Sequence, residues 1–503
     1  MLDGAAQPAN LLRQRAMLIA IVLACAAGGM FWYATGWGIG LSPDSAFYIK
    51  SARQMLGREQ PNPLAMEQQQ ASHFPPGYST VLAIASMPGV DPISAARVIN
   101  LLLFMLNIGL TFFLIHRATR GALLAATIAT NFIVFTPASL DAHATALSEP
   151  LFIALILISF LLLETYVRRP RPGTLVAAAL TTTAAILTRY AGLALVPVGL
   201  GAIILFNKRF RDAAIYMLAS LLPLAVLAIV NAGRSGSPVN RQLAFHLLSR
   251  HHITDALSSI SQWMTPGELS LTKLMIAGAL ILLAIVTIAG LTWRRRSRDE
   301  PLPSIAALFI FAYLALLILS ICFVDFHTQL DERLLAPALF ASAIFTSAWV
   351  VLARRPMLLT TFFALVTATA VARGMLNAHS LHAAGSGYAS LAWRNSELIR
   401  ATRELPTNQI IFTNGADVVY LLGERPAAPV PAKINATSTL TNPDFESSLA
   451  IMQTELAAHR AVVIYFTRFE KRRPYYPTEQ ELTVRLNLRA IQQTSEGSIL
   501  AAP

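Results

Sequence analysis

Charge is what this sequence has least of. Only 13% of its 503 residues are Asp, Glu, Lys or Arg, against 55% hydrophobic, where soluble chains carry about 25% charged residues. There are two cysteines, Cys25 and Cys322, both inside apolar runs, which argues against a disulfide framework or a cysteine-built zinc site. No P-loop, GxGxxG, HExxH or CxxC pattern occurs, so neither a nucleotide cradle nor a metal helix is signalled. Internal repeats and low-complexity tracts are absent, and no clear small-residue cleavage site follows the first apolar run.

What fills the chain instead is apolar length. Mean hydropathy is +0.54. Eleven runs, at 16–36, 94–115, 121–139, 148–166, 173–188, 190–206, 213–231, 273–293, 303–323, 334–353 and 356–372, approach the span length of about 20 residues. The expected class is a polytopic α-helical membrane protein with about 11 transmembrane helices. The pair around "LTRYAGLALVP" is also compatible with one long broken helix.

The charges that are present sort by side. Arg13/Arg15, Arg117/Arg120, Arg168/Arg169/Arg171, Lys208/Arg209/Arg211, Arg294/Arg295/Arg296/Arg298 and Arg354/Arg355 fall at every second junction. The positive-inside rule makes that side cytoplasmic, with the N-terminus inside and the C-terminus outside. The net charge of +12 is then a topology signal, and no nucleic-acid partner is expected. The opposite loops hold most of the acids, Asp44, Glu59, Glu67, Asp91, Asp141, Asp255, Glu268, Asp325, Asp331 and Glu332. Solvated loops account for most of them; the sharper reading is that chemistry faces outward.

From residue 373 the composition changes. "NQIIFTNGADVVYLLG" reads as strand, turn and helix start. "LAAHRAVVIYFTRF" reads as a helix end and a buried strand, and "LRAIQQTSEGSILAA" as a hairpin turning at "SEG". "RPAAPVPAK" reads as a loop. The expected organisation is a membrane module over 1–372, with a first outer loop at 37–93, and a small extracytoplasmic α/β domain over 373–503.

The first outer loop carries "LSPDSAFYIKSARQMLG", residues 41–57. Ser42 suits an N-cap, Pro43 the first turn, and Asp44 the positive end of a helix. Tyr48, Ala52, Met55 and Leu56 form an apolar stripe, and Gly57 suits the stop. The pattern predicts a short amphipathic helix on the outer membrane surface. Asp44 can be a helix-end charge or a functional carboxylate; Lys50 and Arg53 read first as a solvated face. "HFPPGYSTVLAIASMPG" predicts a second interfacial or re-entrant piece, tolerated only beside protein or a water-filled cavity. "SLDAHATALSEPLF" holds Asp141, His143 and Glu149; "LTRYAGL" holds Arg189 and Tyr190; "DFHTQLDERLLAPALF" holds His327, Asp331, Glu332, Arg333 and Pro337. Arg189 and Arg333 are cations on the cation-poor side, flanked by apolar sequence. Such charges are functional candidates, and a planar guanidinium matches phosphate oxygens.

In this order the motifs "PDSAFYIKSARQMLG", "FPPGYSTVLA", "LSEPLFIAL", "LTRYAGLALVP" and "DERLLAPAL", followed by an outer α/β tail, resemble the GT-C superfamily of integral-membrane glycosyltransferases. The resemblance covers residues 16 to about 350, and is to the branch with bacterial aminoarabinose transferases and protein O-mannosyltransferases. It implies an inverting transfer of a sugar from a polyprenyl-phosphate donor to a lipid, glycan or protein acceptor. It also implies an outward-facing site in a bacterial cytoplasmic (inner) membrane, with membrane lipids as partners. The acid of the first outer loop maps to Asp44, as base or orienter of the acceptor hydroxyl. Relatives often carry a second acid beside it, where this chain has Ser45, so no metal is expected, and no cofactor. Some relatives have a charge directly before the two prolines, where this chain has Phe74, with His73 one earlier. Arg189, Arg333 and Lys50 are the expected phosphate cations, with Tyr190, His73, Asp141, His143 and Glu149 as further substrate-binding candidates. Two other classes stay open: a transporter or flippase of lipid-linked sugar, and a non-enzymatic membrane protein whose outer domain binds a partner.

Overall fold

The computed structural model describes residues 6–59, 74–235, 243–265, 269–353 and 356–503. His73, Glu67, Glu268 and the Arg354/Arg355 pair lie outside the described residues.

Each of the eleven apolar runs falls on helix. Among the described residues, nine helices are long and apolar enough to cross a membrane: Leu11–Ala34, Pro92–Ala118, Glu149–Arg168, Tyr190–Asn207, Phe210–Gly233, Leu271–Arg294, Leu302–Phe323, Glu332–Val351 and Pro356–Ala384. A tenth candidate is the pair Leu123–Phe135 and Pro137–His143, bent by 60°. The bend has a local cause, because Thr136 is extended (φ −66°, ψ 124°) and Pro137 has no N–H to continue the ladder. The remaining expected span, Pro172–Thr188, has 17 residues, about 26 Å of helix. It ends at Arg189, which is extended (φ −149°, ψ 135°). The chain then folds back through the 3₁₀ turn Tyr190–Ala194, and Gly192 lies so close that a Cβ would meet the Ala185 carbonyl carbon at 2.6 Å. "LTRYAGLALVP" is therefore a reversal and not one broken helix. The last span, expected to end at 372, continues as helix to Ala384.

A mixed sheet follows. β1 (Ile410–Thr413), β2 (Ala428–Pro429), β3 (Ala461–Phe466), β4 (Arg489–Thr494) and β5 (Gly497–Ala501) are ordered β2-β1-β3-β5-β4. β2, β1 and β3 run parallel, and the terminal hairpin adds β5 and β4 antiparallel. β3, "AVVIYF", is buried throughout, as a central strand covered on both faces must be. β4 is the exposed edge; Arg489, Gln492 and Gln493 and a register shift guard it against further pairing. "RPAAPVPAK", expected as loop, contributes the two residues of β2.

The first-loop helix is Pro43–Met55, capped by Ser42. Its buried face, Ser45, Ala46, Tyr48, Ile49 and Ala52, packs on the ten-residue helix Gly77–Ser86 and on Ala416–Gly423 of the sheet domain. It thus packs on protein through its buried face, between the helix Gly77–Ser86 and the sheet domain. One hydrophobic core joins Ile39, Tyr48, Ile49 and Tyr78 to Leu398, Val418, Ile464 and Phe466 of the sheet domain.

Candidate active site

Asp44 is the second residue of its helix, and the cap explains its direction. Ser42 and Ser45 form a reciprocal capping box: Ser45 N donates to Ser42 Oγ at 3.3 Å, and Ser42 N donates to Ser45 Oγ at 3.0 Å. Ser45 is fully buried and spent on the cap. Asp44 is left to project toward Arg333, whose Nη1 donates to Asp44 Oδ2 at 3.0 Å.

Arg333 is the second residue of Glu332–Val351, a helix capped by Asp331 through Leu334 N at 2.8 Å. Pro337 lies one turn on and cannot donate to the Arg333 carbonyl. The Arg333 side chain joins three acids: Asp44, Glu149 Oε1 at 3.3 Å from Nε, and Asp331 Oδ2 at 3.6 Å. Glu149 opens the helix Glu149–Arg168, where the helix dipole favours an anion. The same Oε1 meets Arg189 Nη1 at 2.9 Å.

Arg189 sits at the chain reversal. Gly77 of the "FPPGY" segment packs directly against that chain; a Cβ there would meet the Leu187 carbonyl oxygen at 2.6 Å. Only glycine allows the approach. Arg189 Nη1 also donates to Ser148 Oγ at 3.1 Å, and Ser148 Oγ lies 3.0 Å from the Tyr48 hydroxyl. Burial pushes the Tyr48 hydroxyl far above its usual range, so it serves as a neutral bridge. Phe74, directly before the two prolines, packs on Phe47 and Tyr48 at ring distances of 4.9 and 5.3 Å.

Exposure separates the two carboxylates. The Glu149 side chain is 1% exposed and the Asp44 side chain 30%. Glu149 can organise the arginines but cannot reach a substrate; Asp44 can do both. Glu149 lies within ion-pair distance of both guanidiniums, while hydrogen bonds orient Arg333 toward Asp44 and Arg189 toward Ser148.

The structure thus brings Asp44, Glu149, Arg189 and Arg333 together, and Tyr190 begins the turn beside them. It does not bring in three other candidates. Lys50 Nζ lies 5.5 Å from the Tyr420 ring centroid, toward the sheet domain. Asp141 accepts from Asn377 Nδ2 at 2.9 Å. His143 is fully buried, with Nε2 2.9 Å from Asn107 Nδ2 and Nδ1 2.7 Å from the Ser139 carbonyl. Ser148 and Tyr48 were missed from sequence: Ser148 stands at the start of the expected span 148–166, and Tyr48 is part of an apolar stripe. Among the described residues, no group of three or more His, Cys, Asp or Glu side chains is arranged to hold a metal ion.

Residues 46–232 match the family described as Dolichyl-phosphate-mannose-protein mannosyltransferase. No curated protein matches at the sequence level. The fold is shared with ArnT from Cupriavidus metallidurans: in its apo state, TM-score 0.57 at 13% identity, covering 99% of this chain and 98% of that one. The structure of the same protein bound to undecaprenyl phosphate gives a TM-score of 0.55 at 12% identity, over 99% and 98%. The archaeal oligosaccharyltransferase AglB from Archaeoglobus fulgidus gives 0.53 at 12% identity, over 90% of this chain and 70% of that one. These likenesses extend over the bundle and the appended sheet domain and show a shared fold, and residues 46–232 are in addition similar to the mannosyltransferase family.

Proposed function

We propose that the protein transfers a sugar from a polyprenyl-phosphate donor to an acceptor hydroxyl on the sheet-domain side of the membrane, with inversion at the sugar carbon. The observation that carries the reading is the contact between a part-exposed Asp44 and Arg333 at 3.0 Å, backed by the buried Glu149–Arg189 pair.

In this mechanism the acceptor oxygen forms a bond to the anomeric carbon as the bond from that carbon to the phosphate oxygen breaks. Asp44 receives the hydroxyl proton, from a side chain that is part-exposed and directed at the arginine cluster. The lipid phosphate departs as an anion and needs cations, not an acid. Arg333 and Arg189 supply them, held in fixed orientation before the charge develops. Asp44 occupies Arg333 Nη1; as the phosphate takes up the guanidinium, Asp44 is released toward the acceptor. Support for the donor class comes from two solved relatives, one with undecaprenyl phosphate and one with a dolichol-phosphate and an inhibitory peptide. An apolar cavity of about 320 Å³ between the helices Leu123–Phe135, Leu271–Arg294, Glu332–Val351 and Pro356–Ala384 offers room for an isoprenoid chain. Leu339 and Ser342 in its wall are on the same helix as Arg333, about 9–14 Å along it.

The sixteen cations on the opposite junctions favour placing the site on the outer face of a bacterial inner membrane. The test is incubation of the purified protein with a panel of polyprenyl-phosphate sugars, following release of polyprenyl phosphate. At least one donor is expected to be consumed in an acceptor-dependent way. Vectorial movement of intact donor across vesicles, with no release from any member of the panel, would favour a flippase.

A further inference from the structure

The sheet domain grips the Asp44 helix at two points, and the chemistry above uses neither. Ahead of the helix, Tyr388 N donates to the Leu41 carbonyl at 2.8 Å. Gly387 (φ +55°) approaches so closely that a Cβ would meet that same oxygen at 2.0 Å. Leu41 directly precedes the Ser42 cap. Near the helix's other end stands Tyr420, on the sheet-domain helix Ala416–Gly423. Its hydroxyl accepts from Arg53 Nη1 at 2.9 Å and donates to Glu59. Its ring centroid lies 5.5 Å from Lys50 Nζ and 5.6 Å from Arg53 Cζ, within cation–π reach.

Arg53 carries the grip further. Its Nη2 donates to both oxygens of Asp91, at 2.9 and 3.2 Å. Asp91 in turn caps the span Pro92–Ala118 through Ile93 N at 3.2 Å. One phenol therefore ties the Asp44 helix, the turn after it and a membrane span to the sheet domain. The helix bearing Tyr420 is itself anchored. Asp417 accepts from Arg473 Nη1 and Nη2 at 2.9 and 2.7 Å, and from the Tyr388 hydroxyl. Both grips on the Asp44 helix thus return to a single anchored unit.

We infer that Tyr420 is a positioning residue for the transfer reaction: from the sheet domain, its hydroxyl holds the Pro43–Met55 helix so that Asp44 meets Arg333. The inference rests on the proposed role of Asp44. The helix has 13 residues and is about 20 Å long, a rigid lever with Arg53 and Asp44 near its two ends. A displacement of about 1 Å at a reacting group can cost about a hundredfold in rate, so a hold at one end matters at the other. The sheet domain becomes part of the catalytic unit, with no group of its own at the reacting atoms.

The experiment is Tyr420→Phe, which keeps the ring under Lys50 and Arg53 and removes only the hydroxyl. Three quantities are read on wild type and variant: kcat, the donor KM, and amide hydrogen exchange over residues 43–55. Expected are a fall in kcat of about tenfold, donor KM within twofold because the arginine cluster is untouched, and faster exchange across the helix. Arg53→Lys, which keeps the charge and loses the fork, should fall between the two. A Tyr420→Phe enzyme with wild-type kcat overturns the inference. If wild type turns over no donor, it is the proposed function that fails. The exchange readout then still decides whether Tyr420 holds the helix, and unchanged protection in Tyr420→Phe overturns the hold.

Discussion

The helix Glu149–Arg168 carries the same ionic device near both of its ends. Toward one end, Glu149 is shared by Arg189 and Arg333 at 2.9 and 3.3 Å. Toward the other, Glu164 is shared by Arg117 and Arg168, both at 3.0 Å. Each glutamate side chain is essentially inaccessible. What differs is what surrounds the device. At the Glu164 end the partners are a neighbouring span and the next turn of the same helix, and the group pins two helices at a membrane boundary. At the Glu149 end the arginines come from a chain reversal and from the start of another span, and a second, accessible carboxylate arrives from the first loop. A buried glutamate between two arginines is therefore a staple; under the proposed function, the addition of Asp44 on a separate element makes it a site.

Asp44 itself apart, the largest effect expected from that difference belongs to Arg333. Arg333→Ala removes the cation that meets both Asp44 and Glu149, and turnover should fall by about 10²–10³-fold, the usual cost of losing a donor aimed at developing charge. Steady-state kinetics on correctly inserted protein checks this. If Arg117→Ala at the opposite end costs as much in kcat, the distinction drawn here is wrong. A smaller effect separates the two glutamates. Glu149→Gln leaves the largely buried Arg189 short of a countercharge and should lower thermal stability in detergent, by up to about 3–5 kcal/mol; Glu164→Gln, whose arginines are part-exposed, should cost less. Only Glu149→Gln should also change kcat, by roughly tenfold, since only there do the arginines face a substrate. Equal kcat losses from both would erase the contrast.

Most of the bundle was legible because a bilayer demands long apolar runs and the chain has almost no others. The sheet domain was legible from "AVVIYF" and from the "SEG" turn, both strong local signals. The charges that meet in the cluster were legible for a related reason: a cation such as Arg189 or Arg333 stands out against apolar flanks. Lys50 misled because it follows Asp44 by six residues, about 240° around the helix, so it faces Tyr420 and not Arg333. His143 and Asp141 misled because a polar residue inside a bent span can be satisfied by neighbouring helices, as Asn107 and Asn377 do here. The docking of Tyr420 on Arg53 joins residues 367 apart, and no local pattern encodes that distance. Ser45 is a different case. Its role in the cap follows from "SPDS", where the third residue after the N-cap can return the hydrogen bond to the cap backbone.

The most direct measurement is transfer by Asp44→Asn, with donor-lipid binding and membrane insertion followed on the same protein. The amide keeps the size of the carboxylate and can still accept a hydrogen bond from Arg333, but it cannot take the acceptor proton at a useful pKa. A loss of kcat of about 10²–10⁴-fold with donor binding retained is the predicted result; an inserted, donor-binding Asn variant that transfers sugar near the wild-type rate would contradict the assignment of Asp44 as the base.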